Sequence, residues 1–287
     1  MPPRACSIRR SGDFEFVVGH PSEPGDGVSV ATVLGPEHGA THLSVALVEI
    51  APGGFVTGHR HPFEESYFVL AGAPFVAVAD KRYALSPHDF ALVPYATAHA
   101  WRNPGPEPVR LLRVQAPQPR PVGGRGDWGV FEASEVAVPA TGDAPQETDP
   151  TRPFAGHFDE SDMAPAGSIS MPGYHGPNVQ NVQIRMMVDE LLGARQHAVF
   201  IVQFRLGATA KAAKEHFHPF EEVFYLLSGT TRTSFDGRHD VATAGDLVFA
   251  PVGASHKFSP VGTEPVCWVE VQSPLPPAGD GFIFHDD

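Results

Sequence analysis

Short apolar runs, some alternating with polar residues, recur along this chain, and none keeps a 3.6-residue helical period over a long window. In the first half HLSVALVEI, SYFVLAG, FVAVAD, FALVP and VRLLRVQ read as strands. In the second half HAVFIVQF, VFYLLSG, TRTSF, LVFAP and VCWVEVQ do the same. Strands spaced by about 8–12 residues with turn signals between them favour a sandwich or closed barrel over alternating strand–helix units. The expected fold class is all-β. FEFVV near the start and FIF near the end are further strand candidates, placed where they can pair across domains.

The two halves are copies. HRHPFEESYFVLAG from His59 returns as HFHPFEEVFYLLSG from His216, an offset of 157. The offset holds without a gap for 59 positions, His59–Pro117 onto His216–Pro274, with eighteen identities. Asp89 falls on Asp246, Pro94 on Pro251 and His99 on His256. A repeat this long describes two domains and not a solenoid unit. The reading is an N-terminal barrel over 1–117, a connection over 118–180 and a C-terminal barrel over 181–287. The connection is polar, acidic and rich in Pro and Gly, with GHFDESDM as a candidate ordered element inside it.

Composition agrees. With 287 residues, 42% hydrophobic content and 29 Gly plus 30 Pro, the chain has room for two turn-rich cores. A net charge of −13 argues against nucleic acid or an anionic membrane as partner, since both need a basic footprint. No apolar run reaches membrane-spanning length and no apolar stretch follows the first arginines, so a cytoplasmic location is expected. Cys6 and Cys267 are isolated and match no metal or disulfide pattern.

Candidate chemistry lies inside the repeat. Residues i and i+2 of a strand face one side, so His59 projects with His61, and His216 with His218. Pro62 and Pro219 end those strands, and the turn PFE carries Glu65 or Glu222 onto a neighbouring strand about 4.8 Å away. His99 and His256 arrive from a later strand after a Pro-containing turn. Four ligands from three strands converge only within a curled sheet. Paired histidines alone often just satisfy core polar groups, but here the whole set occurs twice at identical spacing. Three neutral imidazoles and a carboxylate suit a divalent ion (Fe, Mn, Ni, Co, Cu or Zn), one per barrel. Without thiolates, a closed structural zinc site is disfavoured.

These segments resemble the two motifs of the cupin superfamily. Gly72, Pro94, His99 and Asn103 match in the first copy; Gly229, Gly245, Pro251, Gly253 and His256 match in the second. His88 and Ala96 stand where the second motif has glycines, and Pro260 replaces its final Asn. The resemblance implies a bicupin of two double-stranded β-helix (jelly-roll) barrels. It leaves the reaction open, because cupins include dioxygenases, decarboxylases, isomerases, aminohydrolases and storage proteins. Oxalate decarboxylases carry an arginine three residues before the first ligand histidine, where this chain has Val56 and Ala213. Ureidoglycine aminohydrolases use a different ligand order; flavonol dioxygenases of the quercetinase type match better.

Strand parity also predicts the pocket walls. Thr57, Tyr67 and Trp101 should face the first centre, and Lys214, Phe224 and Phe258 the second. Lys214 either meets an anionic substrate with a lowered pKa, or sits at the barrel mouth beside Glu215 or Glu221. Arg113 with Gln115, and Glu270 with Gln272, share a facing whose direction parity does not decide. The leading expectation is a metal-dependent dioxygenase acting on a small organic substrate, with Glu65 or Glu222 as ligand and base. A redox-neutral enzyme using Lys214 or Tyr67 for proton transfer, and a non-enzymatic ligand-binding bicupin, are the alternatives. A homodimer through an exposed N-terminal strand is a further expectation.

Overall fold

The computed structural model describes residues 6–119, 129–143, 154–163, 165, 181–204, 214–235, 237–276 and 281–285. The chain forms two compact units, and the division is not linear along it. One comprises Phe14–Asp159 with Val188–Gln196; the other comprises Met1–Asp13, Glu160–Met187 and His197–Asp287. Parts of the 118–180 connection, and Ala213, lie outside the described residues. None of the described helices is long and apolar enough to cross a membrane.

In the first unit the long strand Ser44–Arg60 organises the barrel. Its early part pairs with Val109–Ala116, from Ser44 opposite Gln115 to Ile50 opposite Val109. Its later part pairs with His99–Arg102, which sets His59 opposite His99. Glu64–Ala71 lies between Val109–Ala116 and Phe90–Val93, so Glu65 faces Gln115 on one side and Val93 on the other. The second unit repeats this register on separate sheets: His216 opposite His256, and Glu222 between Gln272 and Ala250. Each interior holds a buried apolar cluster, with Val30, Val48, Tyr67, Trp101 and Leu111 in the first and Phe200, Phe204, Phe224, Phe258 and Trp268 in the second.

Open sheet edges invite unwanted pairing, and each barrel covers the same edge with a strand from outside the repeat. Ala155–Gly156 pairs with Phe90–Ala91 of the first barrel, and Ser7–Arg9 pairs with Leu247–Phe249 of the second. The repeated aspartates anchor these strands. Asp89 contacts His157, while Asp246 accepts from the Ser11 N–H and the Arg10 guanidinium, each at 3.0 Å. Buried Glu64 similarly holds Val188–Gln196 on the first barrel by accepting from the Arg195 and Gln196 N–H groups.

The terminal strand candidates pair within their own units. Val17–Val18 forms a hairpin with Gly25–Leu34, and Ile283–Phe284 pairs with His216–Phe217. In the connection, Phe131–Glu132 pairs with Arg60 and His59 of the first barrel. Parity fails at Thr57. A register shift between Val56 and His59 interrupts the alternation, so Val56 is buried opposite Trp101 and Thr57 turns out to solvent, its hydroxyl donating to the Pro24 carbonyl at 2.9 Å.

The motif glycines are positions of left-handed backbone. Gly245 and Gly253 have φ of 88° and 76°; His88 and Ala96, which replace them in the first barrel, keep φ of 76° and 56°. The same turn bonds persist, with Ala96 N–H donating to His61 O at 3.0 Å and Gly253 N–H to His218 O at 2.9 Å. An L-residue pays strain there that glycine avoids. Ala96→Gly should therefore stabilise the first barrel by about 0.5–1 kcal/mol, and Gly253→Ala should weaken the second by about 1 kcal/mol, measured by urea denaturation.

Candidate metal centres

His59, His61, Glu65 and His99 come together in the first barrel, and His216, His218, Glu222 and His256 in the second. All eight are buried. One nitrogen of each of His59, His61 and His99, and one donor atom of each of the four residues in the second set, lie within 4.8 Å of one another.

Backbone carbonyls decide what these histidines offer. Nδ1 of His59, His61 and His99 donates to the carbonyls of Thr57, Phe63 and Thr97 at 2.9, 2.9 and 3.2 Å. Nδ1 of His216, His218 and His256 donates to Lys214, Phe220 and Ala254 at 2.8, 2.7 and 3.0 Å. A carbonyl only accepts, so Nδ1 carries the hydrogen and each neutral ring turns an Nε2 lone pair inward. Phe63 and Phe220 stack on His61 and His218 at 4.0 and 4.1 Å, nearly parallel, and lock those rings further.

The inward atoms need a cation. In the first barrel the Nε2 atoms of all three histidines are buried without a hydrogen bond. Glu65 Oε2 nevertheless lies 2.9 Å from His61 Nε2 and 3.3 Å from His99 Nε2. In the second, Glu222 Oε2 stands 2.7 Å from His218 Nε2 and 3.1 Å from His256 Nε2. Lone pairs facing a carboxylate at these distances repel unless a proton or metal ion lies among them. The donor sets thus fit a divalent first-row ion. Gln115 donates to Glu65 Oε1 at 2.6 Å and Gln272 to Glu222 Oε1 at 2.7 Å, which fixes each carboxylate from behind.

Burial, followed by the charge of His99, pushes His59 down to about 4. Burial, followed by His256, pushes His216 down to about 3. Burial alone would raise Glu65 and Glu222, but His61 and His218 beside them hold both well below the usual carboxylate range. His61 is raised, because Glu65 outweighs burial.

The walls differ between barrels. Tyr67 and Trp101 meet at 4.6 Å in the first, Phe224 and Phe258 at 4.4 Å in the second, as parity placed them. Lys214 is half-buried, and no lysine is among the described residues lining the second cavity. Arg113 and Glu270 are the side chains parity could not direct. Both are buried with the glutamines that hold Glu65 and Glu222, opposite Tyr67 and Phe224. Glu270 accepts from Trp268 Nε1 at 2.9 Å, and burial together with the nearby Glu222 charge raises its pKa well above the ordinary value. Glu23, which pairs with Arg113, lies outside the repeat and carries no periodic signal in the sequence.

Two tandem jelly-roll-like barrels with a buried three-histidine, one-glutamate set in each define a bicupin. The Cupin domain family matches residues 46–115 and 202–272, and the chain belongs to the cupin family. The tetracenomycin polyketide synthase protein TcmJ of Streptomyces glaucescens is 31% identical over 119 residues, 40% of this chain and 80% of that protein. Mannose-1-phosphate guanylyltransferase RfbM of Salmonella typhimurium is 32% identical over 73 residues, and the match spans only 15% of that enzyme's length. The structure of Lactobacillus farciminis oxalate decarboxylase in its formate complex aligns with a TM-score of 0.64 at 16% identity, covering 93% of this chain and 86% of that one. At such identity the likeness shows the fold.

Two outcomes are expected. Gln115→Ala and Gln272→Ala should each weaken divalent-metal affinity about 10–100-fold in their own barrel, read by metal titration with the other barrel as internal control. The metal-free protein should also lose stability as pH falls. Unfolded, His59 and His216 take up protons near 6.5; folded, they resist until about 4 and about 3. Their contribution is present above pH 6.5 and declines below it, partly offset by His61, so the urea midpoint should fall between pH ~7 and ~5.

Proposed function

We propose that this chain is a metal-dependent enzyme acting on a small organic substrate of uncharged, aromatic character, and that the second barrel carries the chemistry, a dioxygenase-type oxidation. The supporting observation is the wall of the second cavity. Phe204, Phe224, Phe258, Trp268 and Phe282 surround His216, Glu222 and His256, with Glu270 as the added polar group. An aromatic enclosure with no lysine or arginine among its described lining residues favours a neutral ring over an anion. In the first barrel, by contrast, the ion pair Glu23–Arg113 fills the corresponding position.

The cavity is small, about 20 Å³, room for about one water. Substrate therefore requires a wall to move. Phe282, on the short C-terminal segment, packs 5.6 Å from His216 and 5.7 Å from His218 and is the side chain that would swing aside. A bound divalent ion would supply Lewis acidity and open coordination positions for substrate and dioxygen. The chain's own residues orient and protect. Gln272 holds Glu222, the aromatic walls stack on the substrate and exclude water, and Glu270, its pKa raised by burial and the Glu222 charge, is the polar group available to a substrate oxygen.

The raised pKa of Glu270 also supports a second reading, a redox-neutral isomerase, decarboxylase or hydrolase in which Glu270 delivers the proton. Protein reconstituted with Fe, Mn or Ni and offered small phenols and catechols should consume dioxygen. His216→Ala should abolish the uptake and His59→Ala should retain most of it. Substrate turnover that proceeds equally well without dioxygen would replace the oxidation with the redox-neutral reading. Equal losses in both variants would remove the assignment to the second barrel.

A further inference from the structure

The first barrel holds a buried ion pair that no metal ligation requires. The chain turns at His20–Glu23, with Pro21 at the second position and Glu23 N–H donating to His20 O at 3.0 Å. The turn carries Glu23 into the barrel, where it is 1% exposed and meets Arg113, 3% exposed. Arg113 Nη1 donates to Glu23 Oε1 at 2.6 Å and to Ser22 Oγ at 3.0 Å.

This pairing is incomplete. Glu23 Oε2 and Arg113 Nε are both buried without a hydrogen-bond partner. The Tyr67 hydroxyl lies 2.6 Å from Glu65 Oε2 and 3.1 Å from Glu23 Oε1, and its single hydrogen serves one of them. A guanidinium can give a carboxylate two parallel N–H bonds, and Glu23 receives one from Arg113, at Oε1. Each buried polar atom left unsatisfied weakens the arrangement, and a carboxylate free to reorient can accept from both Nε and Nη1 of Arg113.

The outer side of the same turn is open. A cavity of about 610 Å³ is lined by Pro21 and Pro24 together with Thr57, His59, Glu132 and Val136. The turn thus borders this cavity with its prolines while it carries Glu23 inward to Arg113, and His59 borders the cavity as well. In the second barrel Glu270 stands where Arg113 does, so the first barrel offers an anion a guanidinium at a position where the second offers a carboxyl.

We propose that Arg113 and Tyr67 form a carboxylate-binding subsite in the first barrel, that Glu23 is its built-in occupant, and that a small organic carboxylate takes the site by displacing the Pro21–Pro24 turn. The subsite does not depend on which reaction the second barrel performs, and its test reads binding and not turnover.

The probe is acetate, with acetamide as its neutral isostere, titrated calorimetrically into the full-length protein. Glu23→Ala removes the competing carboxylate and should tighten acetate binding about tenfold or more over the wild type, with acetamide showing no such gain. Glu23→Ala/Arg113→Met removes both charges, leaving no orphan, and should abolish the acetate site; ligation of acetate to a metal would survive this change. In the wild type, acetate should speed hydrogen exchange at the Glu23 amide. If Glu23→Ala does not fold, Glu23→Gln keeps the size and should show the same order of affinities. Acetate binding that is equal in wild type and variant, absent from both, matched by acetamide, or retained in the double variant overturns the proposal.

Discussion

The structure depends on one repeated hydrogen bond, from imidazole Nδ1 to a backbone carbonyl two residues away. It occurs at all six repeat histidines. Each bond fixes a tautomer and an aim, so three lone pairs converge with a carboxylate in a buried space. Such a cluster is costly in a protein interior without a cation. The strand register serves this convergence: His59 opposite His99 and Glu65 opposite Gln115 in one barrel, His216 opposite His256 and Glu222 opposite Gln272 in the other. A one-residue slip of any of these pairs would turn a ligand out of the barrel.

Around this shared centre the copies have diverged in opposite electrostatic directions. Arg113 and Tyr67 beside the first centre become Glu270 and Phe224 beside the second. The first interior neutralises its arginine with a glutamate from outside the repeat, whereas the second sets its carboxyl among aromatic rings, where burial and the nearby Glu222 charge raise its pKa. Duplication thus conserved the ligand geometry and freed the walls. The edges evolved similarly: one repeated aspartate, Asp89 or Asp246, anchors a covering strand drawn from unrelated sequence.

Much of this was legible before any coordinates. The 157-residue offset, the four polar residues at each centre and the pairing of Tyr67 with Trp101 and Phe224 with Phe258 all follow from spacing and strand parity, which are local properties of an extended chain. Local reasoning failed where locality fails. Thr57 turned outward because a register shift interrupts the alternation ahead of His59. The facing of Arg113 and Glu270 was undecidable because their strands are buried on both sides, and only pairing of Gln115 with Glu65 and of Gln272 with Glu222 orients them. Glu23, and the strand Ser7–Arg9, lie outside the repeat, and their partners are far away in sequence. The sequence by itself determined the duplicated barrels, the histidine and glutamate sets gathered inside them and the aromatic difference between pockets. The tertiary structure alone decided which charges enter those pockets and which distant segments close them, because register and long-range capture are set by packing, which no local period encodes.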